Sequence, residues 1–280
     1  MDDPRFRVDR CTQQIVRAVG RKVSFDEHPW LLGPVGGFRE IGHDWLTLEA
    51  ERQNGSVGRG GLLDSMDVLD GPGFSATDLA LPVVDFYERT SEWRLEVWSQ
   101  WCPAAWPFGW LISSIFAKRL QQLNLPLRPL DTAYGMDSQV MAVRDQGGSQ
   151  VGAAWLRTLR STGQAIYSGW YSAEGLPGAV RPSIRVVFPL PNGSVTVLLR
   201  PEVRSDGALI LSSPVGPFGT EGAYLVVARP DRKSGWALRV PLAERFVVFV
   251  DDEGTLRTDH ELNLNRVPVL RLHYRLDAAA

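Results

Sequence analysis

The amino-acid sequence predicts a mainly β protein, an antiparallel β-barrel or sandwich carrying a few helices, with α+β as the minor alternative. Three observations point there. From Asp137 onward short β-prone runs follow one another, and apolar and polar side chains alternate within them. Between the runs stand turn sequences, Asp145–Gly148, Asn192-Gly193, Asp206-Gly207 and Asp252–Gly254, whose residues accept tight or left-handed backbone. No internal repeat of fixed period interrupts this series.

Taken in order, Asp9 is placed to cap a helix over 9–20, in which Ile15, Val16 and Val19 fall at helical spacing. Between His28 and Glu51, glycine and proline punctuate short apolar groups. Trp45, Thr47 and Glu49 then alternate with Leu46 and Leu48, which reads as a loop followed by a strand. Four glycines in Asn54–Gly61 and the Gly71-Pro72-Gly73 break make 54–75 a mobile loop or linker. Thr77-Asp78 can cap a helix over 79–91 with Leu79, Val83, Phe86 and Tyr87 as its apolar stripe.

Five of the ten tryptophans come next, Trp93, Trp98, Trp101, Trp106 and Trp110, in and around an uncharged run from Val97 to Ala117. Pro103 and Pro107 split the run, and a second helix is predicted from Phe108 to Leu123. Ten strands follow: 139–144, 151–160, 165–172, 184–190, 195–203, 208–212, 224–228, 236–240, 246–250 and 269–276. Asn192-Gly193 reads as a type I′ hairpin turn, and hairpin pairing brings Trp155, Tyr167, Trp170 and Tyr171 close, with Trp155 and Trp170 on one face. The chain thus divides into an appendage over 1–75, a tryptophan-rich helical segment over 76–130 and a barrel over 131–280, or 76–280 forms one unit.

Composition excludes several function classes. At 280 residues and 44% hydrophobic content the chain can bury a sizeable core, and a net charge of −2 without a long like-charged run leaves no electrostatic footprint for nucleic acid. The acidic start, MDDPRF, has no apolar stretch of signal-peptide length, so a cytoplasmic location is expected. Val97–Ala117 is as long as the ~20 residues a membrane span requires. Two prolines, Gln100 and three serines disqualify it, leaving only peripheral membrane contact open. Cys11 and Cys102 form no disulfide or zinc spacing; His28, His43, His260 and His273 form no metal motif; no nucleotide loop or nucleophile elbow occurs, so no cofactor or metal is expected.

What remains is aromatic and acid–base chemistry. Trp93, Trp98, Trp101, Trp106, Trp110, Phe116, Trp155 and Trp170 are candidates to line an apolar ligand site, and equally candidates for plain core. Near the C-terminus, Arg271, His273 and Arg275 alternate with Leu270, Leu272, Tyr274 and Leu276, after the polar string Arg257–Glu261. An outward ionisable face would be the solvated exterior. An inward one would give His273, Asp259 and His260 acid–base roles, with Tyr274 donating to a carbonyl or enolate. Glu244-Arg245 reads as a surface ion pair at the rim.

The strings FYERTSEWRLEVWSQW (86–101), FPLPNG (188–193) and LRTDHELNLNRVPVLRLHYRL (256–276) resemble an uncharacterised family of bacterial β-rich proteins, over about 80–276. The resemblance transfers no activity. In outline the chain is similar to lipocalin-like carriers and polyketide cyclases, by fold analogy alone. The leading expectation is a cofactor-independent cyclase or isomerase, cycloaddition included, acting on an apolar polyketide-like small molecule. A carrier or sensor of a lipid-like ligand is the alternative, and a membrane-surface or structural protein the third.

Overall fold

The computed structural model describes residues 4–36, 44–101, 135–163 and 165–279, with side chains from Cys11 onward and without those of Ser99 and Trp101. Its helices are α1 (Pro4–Val19), α2 (Asp44–Arg52) and α3 (Leu81–Glu88). Its strands are β1 (Arg21–Ser24), β2 (Ser56–Arg59), β3 (Trp93–Trp101), β4 (Met136–Arg144), β5 (Gln150–Leu159), β6 (Ala165–Glu174) and β7 (Ser183–Leu190). They continue with β8 (Gly193–Val203), β9 (Leu209–Ser213), β10 (Gly222–Ala228), β11 (Ser234–Val240), β12 (Leu242–Val250), β13 (Leu256–Leu264) and β14 (Val267–Ala278).

All strand pairings are antiparallel, in the order β2-β4-β5-β6-β7-β8-β9-β12-β13-β14-β3. The sheet forks at β8, whose first half also pairs with β10, leading on to β11 and β1. Among the described residues it is not closed by hydrogen bonds. Val97 of β3 packs against the cluster of Met136, Leu159 and Ile166, so the β3 edge meets β4 through side chains. β2 pairs only with the Met141–Arg144 end of β4, which leaves the other end free to receive β3.

The ten strands predicted from β4 to β12 and at β14 all form, and β13 is added to them. The string Arg257–Glu261 lies inside β13, because its inward positions, Leu256, Thr258, His260 and Leu262, alternate with charged ones. Trp93–Trp101, expected to be helical, is strand β3, paired from Trp93↔Ala278 to Trp101↔Leu270. Its own alternation of Leu95 and Val97 with Arg94 and Glu96 suits a half-buried edge.

Trp45–Glu49 reverses in the other direction: it is helix α2, not strand. Trp45, Leu46, Glu49 and Ala50 are buried on one helical stripe while Leu48 stays 64% exposed. Glu49 pairs with Arg52 one turn on. Residues 54–75 are not a linker, since Leu62, Leu63, Met66 and Leu69 are buried in the main core. Nor do Thr77-Asp78 cap α3; they lie in a short 3-10 turn, Ala76–Asp78, and Ala80 precedes the helix.

The Asn192 hairpin differs in detail. Leu190 pairs with Gly193, so Pro191 and Asn192 form the loop, and only Asn192 has a positive φ, 59°. Proline followed by a left-handed residue is type II chemistry, not type I′. Gly193 instead serves close packing: a Cβ there would stand 2.0 Å from the Val226 carbonyl oxygen on β10.

Two satellite cores cover the outside of the sheet. Trp45 of α2 packs edge-on against Trp170 (centroids 6.4 Å apart) and donates from Nε1 to Ser168 Oγ at 2.9 Å. Val23, Phe25, Trp30 and Leu31 cover β8, β10 and β11 around Tyr224. The helix-bearing segment 62–92 lies at the inner face, where Leu62, Phe86 and Tyr87 join the main core.

Candidate functional site

One cavity of about 130 Å³ opens inside the rolled sheet, lined by side chains from α3, β3 to β9 and β12 to β14. Half of the lining residues are aliphatic, with Val186, Val197, Leu211 and Val248 among them. Period two explains the convergence: every second residue of each strand points in, and the sheet curls until those residues face one another.

The aromatic part of the wall is tyrosine more than tryptophan. Four of the six tyrosines, Tyr87, Tyr167, Tyr171 and Tyr274, face the cavity with Trp155, Phe86, Phe188 and Phe246. The Tyr167 and Tyr171 hydroxyls hydrogen-bond to each other. Burial holds the phenols of Tyr87, Tyr167 and Tyr274 above the ordinary tyrosine range and pushes Tyr171 up to about 12. All four are therefore neutral hydroxyls at physiological pH.

Two charged groups stand among them. Arg157, 8% exposed, lies two residues beyond Trp155 on β5, with its guanidinium 3.8 Å from the Trp155 ring centroid, 4.9 Å from Tyr167 and 5.3 Å from Tyr274. Its positive charge also acts on the Tyr274 hydroxyl of β14, offsetting part of the upward push of burial there. Glu244 of β12 sits 3.3 Å from Nε2 of His260, whose ring stacks on Phe246 at 3.8 Å. Register makes these neighbours: Phe246 pairs with His260 across the β12–β13 ladder, and Glu244 is two residues before it on the same face. With Nε2–H donating to Glu244, the buried Nδ1 of His260 has no partner among the described residues.

The candidate acid–base residues divide by parity. Tyr274 and His260 line the cavity. His273 and Asp259 point the other way and bond to each other on the exterior, Nδ1 to Oδ1 at 2.7 Å, with side chains 37% and 54% exposed. The ionisable face of the last strand is thus the outer face, where Arg271 pairs with Glu261 and Arg275 with Asp277. An open groove there is bordered by Trp98, Arg245, Arg271 and His273.

The tryptophan candidates divide too. Trp155 lines the cavity, its Nε1 donating to Ser138 at 2.8 Å. Trp170 does not share its face: Trp170 pairs with Ala154, one residue out of step, and is buried on the outside against Gly152, where a Cβ would meet the indole at 2.2 Å. Trp93 packs beside Phe86 and donates to Asp85 rather than reaching the void. Trp98 is 52% exposed. Trp101 ends β3 with its side chain outside the described residues, as are Trp106, Trp110, Phe116 and the helix predicted over 108–123.

Sequence reasoning places Glu244 only in a rim ion pair and does not single out Arg157. Glu244-Arg245 splits across the strand, Glu244 inward and Arg245 exposed, so the rim pair does not form. Arg157 carried one usable signal, its parity with Trp155 inside the apolar run Val151–Leu159.

Among the described residues, no cluster of three His, Cys, Asp or Glu side chains could hold a metal ion, and no helix is long and apolar enough to cross a membrane. No protein-family model and no solved structure matches the chain. A Bacillus subtilis protein named "Uncharacterized membrane protein YndJ" is 28% identical over 247 residues, 86% of this chain and 42% of that protein. The chain spans less than half the length of this relative.

Proposed function

We propose that the protein is a carrier or sensor that binds a small apolar molecule inside its rolled sheet. The observation that carries this reading is the cavity itself, a largely apolar space of about 130 Å³ on which the inner faces of most strands converge. An apolar cavity of roughly 150 Å³ in a small protein is known to stay dry and to accept benzene, so the matching guest is a compact ring or a short acyl segment. The Bacillus subtilis relative is named a membrane protein, which supports a protein working at or beside a bilayer.

The test is calorimetric and thermal titration with benzene and 1-hexanol. Binding should raise stability, by about 2.7 kcal/mol at a hundredfold excess over Kd. Filling the void with Val197→Phe should abolish the response while the fold persists. Absence of a response to either probe in the unaltered protein would remove the proposal.

A second reading is favoured by one specific observation, the Glu244–His260 couple set in the same wall as the Tyr274 hydroxyl. A carboxylate, an imidazole and a neutral phenol are the components of proton transfer next to a carbonyl, the step that a cofactor-independent isomerase or cyclase requires. Cyclopentanone in D2O tests it: catalysed α-deuteration lost in Glu244→Gln supports catalysis, and deuteration at the solvent rate argues for binding alone.

A further inference from the structure

We infer that the cavity is built for an organic anion, a small monocarboxylate whose head meets Arg157 while its apolar part fills the aliphatic end. The inference rests on the binding reading above and deepens it. Arg157 is more than nine-tenths buried, it lines the cavity, and among the described residues its Nε has no hydrogen-bond partner. Among the described residues no carboxylate lies within 4.0 Å of it. Glu244, the acidic group in the same wall, is engaged by His260 instead.

A guanidinium withdrawn from water without a counter-ion is costly. The faces of Trp155, Tyr167 and Tyr274 recover part of that cost as cation–π attraction, but they accept none of the directed hydrogen bonds that a guanidinium fork offers. The surroundings add donors rather than acceptors. The paired hydroxyls of Tyr167 and Tyr171 leave one O–H uncommitted by that bond, and burial keeps the Tyr274 phenol neutral, with a proton to give. Donors grouped around a fixed positive charge, beside an apolar void, recognise a carboxylate with a hydrocarbon body: two acceptor oxygens for the fork and the phenols, and a tail for the valines and leucines.

Hexanoate and 1-hexanol separate the head from the tail, since they share a chain and differ in charge. Titrated into the full chain at pH 7, hexanoate should bind about tenfold to a hundredfold tighter than 1-hexanol, the worth of a charge-assisted hydrogen bond. Arg157→Met should erase that preference and leave 1-hexanol binding in place. Equal affinities in the unaltered protein overturn the anion site and leave the apolar cavity standing; binding of neither probe removes both readings. Should Arg157→Met not fold, Arg157→Lys carries the test. A lysine keeps the charge but loses the fork, so the preference should shrink several-fold without reversing, and an unchanged preference would overturn the role of Arg157.

Discussion

The β13–β14 hairpin presents two faces made from the same few residues, and they do opposite work. Inward, Thr258, His260, Leu262, Leu272, Tyr274 and Leu276 form the cavity wall. Outward, Asp259 pairs with His273 and Glu261 with Arg271 across the two strands, while Arg275 pairs with Asp277 along β14 and Arg257 with Asp251 beyond the start of β13. His260 and Asp259 are adjacent in sequence, yet one meets a buried carboxylate and the other meets solvent. A single step along a strand decides whether a titratable group can act on a sequestered guest.

The comparison is sharpened most by truncating one side chain on each face. Leu276→Ala, inward and 2% exposed, should cost about 2–5 kcal/mol in urea denaturation. Arg275→Ala, beside it and outward, should stay within about 0.5 kcal/mol. Similar losses from the two would break the assignment of faces.

Next come the two histidine pairs. Removing the Glu244 carboxylate with Glu244→Leu leaves buried His260 without its partner and should destabilise by about 1–3 kcal/mol, insensitive to salt. Asp259→Ala, breaking the exposed pair with His273, should cost at most about 1 kcal/mol, and that difference should fade in high salt.

The tyrosines provide a third contrast, read against pH. Burial raises the phenols on the cavity wall, with Tyr171 at about 12 against about 10 for an unfolded chain. A folded-state value above the unfolded one means that this contribution is fully present below about pH 10. It is lost as pH climbs toward 12, because the unfolded chain ionises first. Absorbance at 295 nm should therefore show cavity phenols titrating only with unfolding; four phenols ionising near pH 10 in the folded protein would contradict their burial. The smallest effect belongs to Trp98→Ala on the exposed edge strand, which should change stability by about 0.5 kcal/mol or less and leave 1-hexanol binding untouched.

The sequence made the β repeat legible because turn chemistry and alternation coincide from β4 to β12 and again at β14. Where those two signals part, the reading fails. β13 has its alternation masked by the charges of Arg257–Glu261, although Leu256, Thr258 and Leu262 keep the period. β3 was hidden by tryptophans and by the prolines beyond it, and α2 because Leu46 and Leu48 mimic a strand face until tertiary contacts bury only one of them.

The site was less legible than the fold. Its apolar character followed from composition, but its polar centre consists of single residues, Arg157 and Glu244, inside strands where a charge ordinarily marks the solvent side. Only the curl of the sheet, which brings β5 opposite β14 and β12 near β6, gives those two residues a common space. Parity relative to Trp155 and Phe246 was the one local clue to their direction.

The central claim is that this space is real and able to hold a guest. A crystal of the protein pressurised with xenon tests it most directly, because xenon occupies apolar voids without requiring any knowledge of the natural ligand. Xenon density bounded by Val186, Val197 and Val248 is the predicted result. Side chains packed in mutual contact there, with no gas atom among them, would contradict the account.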